Sequence, residues 1–81
     1  MNNEDEIESE YSVTAMLEEA AHRLTLGHQV FVYVEGLEPI PCMSVTNNHA
    51  HTTVDIVTPT GDRVRAPVLR VVAVRFREKA N

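Results

Sequence analysis

The sequence has no tryptophan, one cysteine, three isolated glycines and no long apolar run. With Cys42 alone, no internal disulfide can brace the fold, so its stability rests on packing. Gly27, Gly36 and Gly61 stand far apart and each marks the end of an element, which leaves no glycine-rich phosphate loop. No stretch approaches the ~18 apolar residues of a membrane-spanning helix, and no secretory signal is present. The expected setting is the cytoplasm of a bacterium or its phage, with no membrane partner. Aromatic residues are also few: Tyr11, Phe31, Tyr33 and Phe76.

The chain has 81 residues, 43% of them hydrophobic, which suits one domain with a thin core. Its charge is uneven. The net charge of −5 comes from Glu4, Asp5, Glu6, Glu8 and Glu10, while Arg63, Arg65, Arg70, Arg75, Arg77 and Lys79 make the last third locally basic. Residues 1–10 read as a disordered acidic arm, 11–77 as the folded domain and 78–81 as a polar tail.

In "SVTAMLEEAAHRLTLG" the residues Val13, Met16, Leu17, Ala20, Ala21 and Leu24 fall on one helical stripe. Ser12 suits the N-cap and Gly27 the left-handed stop. The period then changes to two. "HQVFVYVE" alternates Val30, Val32 and Val34 with Phe31 and Tyr33, apolar on both sides, and so predicts a strand covered twice. "IPCMSVT" predicts a second strand that begins at an edge or bend, because Pro41 lacks a donor. "NNHA" makes a turn, "HTTVDIVT" a third strand, "PTGD" a hairpin turn, "RVRA" a fourth strand and "VVAVRF" a fifth. The expected class is α+β, mainly β: an N-terminal helix followed by a five-stranded, strongly bent antiparallel sheet, as in an SH3-like barrel.

Cys42, His49 and His51 are the candidate metal ligands, with Asp55 or His28 as a fourth. One cysteine with a single H-x-H pair is equally a buried thiol beside a polar turn, so no metal and no cofactor are expected. Cys42 with either histidine is formally a nucleophile and a base. A barrel of this size has no room for a substrate pocket around them, and no enzyme is expected. Arg63, Arg65, Arg70 and Arg75 are candidate phosphate contacts for RNA.

The element order, with "VFVYVEGLEPIPCMSV" followed by "TVDIVTPTGDRVRAPVLRVVAV", resembles the Sm-like barrel family over residues 12–76. Within that family it is similar to the RNA chaperones of the Hfq type and to the Rho-binding antiterminators of the Rof type. The resemblance implies that Gly36 matches the glycine after the first strand. Ala66, Pro67, Val68 and Leu69 stand where Hfq has the Lys-His pair that reads uridine, so that RNA site is not carried over. The proline and cysteine motif near the Rof N-terminus is also missing, since "EPIPC" follows the first strand. A Rof-like mode implies a regulator of transcription that docks acidic groups, here Glu4, Asp5, Glu6, Glu8, Glu10, Glu18 and Glu19, on a nucleic-acid-handling protein such as Rho. The alternatives are an oligomeric Sm-like RNA binder, with homo-oligomers, and a zinc-stabilised interaction module.

Overall fold

The computed structural model describes residues 3–78, with side chains from residue 12 onward. Among them are one helix, α1 (Asn3–Thr25), and six strands: β1 (Gln29–Val34), β2 (Ile40–Cys42), β3 (Ser44–Asn48), β4 (Thr53–Val57), β5 (Arg63–Pro67) and β6 (Val71–Arg77). A single 3-10 turn, Val68–Arg70, joins β5 to β6. The strands form two three-stranded antiparallel sheets, β2-β1-β6 and β3-β4-β5. The α+β, mainly β class holds, but five strands in one bent sheet do not. The described strands do not close a barrel.

The extra strand arises at Met43. Ile40 and Cys42 are buried, and so is Val45, which a straight strand would turn to the opposite face from Cys42. Breaking the ladder at Met43 flips the parity and lets all three face the core. The Met43 side chain points to solvent, and its N–H donates to Val57 O across the corner at 2.6 Å. A second irregularity serves the same end in β6. Val34 pairs with Val71 and Tyr33 with Ala73, so Val72 is an extra residue, exposed on the bulge.

The helix begins earlier than its apolar stripe implies. Residues 3–10, expected as a disordered arm, continue α1 without a break, and Ser12 lies inside the helix rather than at its cap. Glutamate is a good helix former, and acids near an N-terminus favour the positive end of the dipole. Met1, Asn2 and most of the expected tail, 79–81, lie outside the described residues. The C-terminus matches the sequence: Gly27 N–H donates to Leu24 O and His28 N–H to Arg23 O, a Schellman stop with Gly27 at φ 82°.

Leu17 and Ala20 are fully buried under the helix, with Val13 and Leu24 packed beside them. The sheets contribute Val30, Val32, Val54 and Ile56 to the same core. Burial of each large side chain is worth roughly 1.5–3 kcal/mol relative to exposure. Helix α1 packs against β3, β6 and β1, across both sheets. The β4–β5 hairpin turns through Gly61 at φ 93°, where Gly61 N–H donates to Thr58 O at 2.9 Å. Among the described residues no helix is long and apolar enough to cross a membrane.

Candidate ligand-binding face

Strand β1 is the central strand of its sheet, and its two sides differ. Val30, Val32 and Val34 are buried, whereas Phe31 and Tyr33 are only half-buried. The described residues do not give the expected double coverage of this strand: helix and second sheet cover the valine side, and the aromatic side is only half-buried. Antiparallel pairing sets exposed Pro41 on β2 and exposed Arg75 on β6 to either side of Phe31. The Arg75 guanidinium lies 4.7 Å from the Phe31 ring centroid and 5.9 Å from that of Tyr33. At those distances a cation is held by the ring quadrupole. Arg77, exposed and opposite Gln29, extends the row.

The other arginines sit differently. Arg65 binds Asp55 on the neighbouring strand through two N–H donors, at 2.8 and 3.3 Å, and this holds the Asp55 carboxyl below its ordinary range. Arg70 reaches Glu35 at 3.2 Å. Arg23 donates to Glu19 at 3.0 Å, stands 3.5 Å from His28 Nδ1 and lies 4.1 Å from the Phe76 centroid, tying the helix end to the sheet. Arg63 is exposed on the outer side of β5, opposite Val57. The four arginines expected to contact RNA thus do not form one footprint. Two of them are held by carboxylates, and Arg75 lies on aromatic rings.

The Cys and His candidates are also separated by the fold. Cys42 is buried on β2, paired with Val30, and its thiol donates to Ile40 O at 3.2 Å. Burial pushes that thiol up to about 11. His49 and His51 are exposed in the β3–β4 turn, on the other sheet. Among the described residues no three His, Cys, Asp or Glu side chains are grouped to hold a metal ion. A proton-transfer partnership needs hydrogen-bond reach, and the described partners of Cys42 are backbone groups of Ile40 and Val32.

Glu18 and Glu19 are exposed on α1, Glu19 in the pair with Arg23. Glu4, Asp5, Glu6, Glu8 and Glu10 belong to the same helix, and their side chains lie outside the described residues. A groove of about 270 Å³ opens between α1, the β3–β4 turn and the 3-10 turn, lined by Thr14, Asn47, His49, Thr52 and Pro67 to Leu69. Thr52 holds φ 52°, uncommon for a β-branched residue.

No protein-family model, curated protein or solved structure matches this chain.

Sequence reading did not find the Phe31–Tyr33–Arg75 face, because valine and aromatic positions in β1 are equally apolar. A signal was nevertheless present in "VRFR". Arg75 and Arg77 share a parity, and antiparallel pairing with β1 carries that parity to the aromatic side.

Proposed function

We propose that this chain is a small, non-enzymatic binding module of the Sm-like type that regulates a nucleic-acid-handling protein, such as a termination factor like Rho, by docking on it. The element order supports the type: a helix, short strands that pass from one sheet to the other at Met43, and a 3-10 turn ahead of the last strand. The docking mode rests on one observation above the others. The acidic residues are part of a single 23-residue helix that spans roughly 35 Å, and the described core contacts of that helix come from Val13, Leu17, Ala20 and Leu24.

The helical repeat sets Glu18 and Glu19, both exposed, on the side away from Leu17 and Ala20. A helix holds such charges at fixed spacing, which a loose arm does not. It offers a basic, nucleic-acid-binding surface a preformed polyanionic edge, and long-range attraction speeds the encounter. Cys42, the candidate nucleophile, has its thiol pushed up by burial and hydrogen-bonded to Ile40 O, a setting that suits packing and supports the non-enzymatic reading.

The test is binding to purified Rho, followed by competition with RNA, for the native chain and for a variant with Glu4, Asp5, Glu6, Glu8 and Glu10 replaced by Gln. The reading expects the native chain to bind and to displace RNA, and the variant to lose affinity and flatten the salt dependence. Unchanged affinity and salt slope in the variant would remove the acidic helix from the reading.

A further inference from the structure

We propose that the outer face of the β2-β1-β6 sheet is a stacking platform for a single strand of nucleic acid. Phe31 and Tyr33 are two residues apart on the central strand, so they stand on the same side of the sheet, each half-buried. On β6, Arg75 stands opposite Phe31, Ala73 opposite Tyr33 and Arg77 opposite Gln29, so both arginines share the aromatic side. Two aromatic faces in line, with two cations alongside at the same repeat, fit a chain whose bases and phosphates also alternate at a regular step.

Among the described residues Arg63, Arg75 and Arg77 have no carboxylate partner, whereas Arg23, Arg65 and Arg70 do, and Arg75 and Arg77 are the two of the three that share one sheet face. The only described partners of Arg75 are the two rings. Arg75 thus lies over the Phe31 ring, where a guanidinium can stack on a base while its N–H groups reach phosphate. Gln29 and Pro41, both exposed, border the same face. Gln29 offers an amide to base edges. With two unpaired cations on the platform, binding is weak at physiological salt and without marked sequence preference.

The five acids of residues 4–10 repel a polyanion and lower its affinity for the chain as a whole. This inference does not rest on docking to a Rho-like protein. Replacing those acids by Gln abolishes the docking proposed above and leaves or strengthens oligonucleotide binding, so the two readings fail separately.

The test is fluorescence anisotropy of the full chain with a labelled, mixed-sequence single strand of about 12 nucleotides, as DNA and as RNA, from roughly 50 to 200 mM salt. The expected result is salt-sensitive binding that drops on the order of tenfold or more in Phe31→Leu or Tyr33→Leu. Arg75→Gln with Arg77→Gln should reduce the salt slope by about 1.4, which is ~0.7 for each lost phosphate contact on a single strand. Arg63→Gln, on the other sheet, should leave affinity unchanged. Arg75→Gln removes no buried apolar surface, so it decides the matter if Phe31→Leu unsettles the sheet. Absence of binding at 50 mM salt, native affinity in the Arg75 and Arg77 variant, or an equal loss in Arg63→Gln would each overturn the proposal. So would loss of a protein partner in the aromatic variants of a chain that ignores oligonucleotides, which would assign the face to protein instead.

Discussion

Arg65 grips Asp55 across the β4–β5 ladder, with Nε donating to Oδ1 at 2.8 Å and Nη2 to Oδ2 at 3.3 Å. The two residues are directly opposite in register, where cross-strand charge pairs are closest. The hydrogen bond and the positive charge of Arg65 both favour the carboxylate, while some desolvation opposes it. Because the folded value is depressed, the contribution to stability is present above the ordinary Asp range and is lost as pH falls through the lower folded value. NMR titration of the Asp55 carboxyl should therefore give a midpoint below that of an exposed Asp, and Arg65→Gln should raise it toward the ordinary value, with the Thr53 and Asn48 hydrogen bonds still holding it down in part. A midpoint that ignores the substitution would mean that the pair does not persist in solution.

Thr52 holds a left-handed backbone at φ 52° while its carbonyl accepts from Val68 N–H at 3.0 Å. A β-branched residue there costs on the order of 1–2 kcal/mol, and asparagine tolerates the conformation better. Thr52→Asn should raise stability by roughly 0.5–1 kcal/mol, read as a higher urea midpoint at unchanged slope. Loss of stability would mean that the Thr52 side chain contributes more than its backbone strain removes. The residue also lines the groove beside His49, so an unaltered fold with a relaxed turn would separate strain from any role of that groove.

Cys42 gives a prediction at the alkaline end. Its thiol is pushed from an ordinary value of 9.0 up to about 11, mainly by burial, with a backbone hydrogen bond from Val32 acting the other way. A raised folded value means that the folded chain holds the proton more tightly. Stability should be intact below pH 9 and decline as pH climbs toward 11, and Cys42→Ala should remove that part of the decline. At pH 8 the native thiol should react with a disulfide reagent far more slowly than the urea-unfolded chain. Fast labelling of the folded protein would show an open β2 edge.

Much of the backbone could be read from the residues. Val13, Leu17, Ala20 and Leu24 of the predicted stripe face the core while Met16 and Ala21 flank it half-buried, Gly27 stops the helix, and Gly61 turns the hairpin between Val57 and Arg63. The extent of α1 was less legible, since a run of acids suits both a solvated coil and a helix whose dipole it complements. The second strand hid its break because Ile40, Cys42 and Val45 are all apolar, and only their parity reveals that one bend must lie between them. The candidate face was less legible still, because no local pattern distinguishes a core aromatic from a surface one.

The sequence by itself determined the periodicities, the turn points and the segregation of charge, because helix repeat, strand alternation and glycine φ act within a few residues. The tertiary structure alone decided which side of β1 is core and which arginine meets which carboxylate or ring. Those outcomes depend on strand register between distant segments. β6 must pair with β1 before Arg75 can lie on Phe31, and β4 must pair with β5 before Arg65 can hold Asp55.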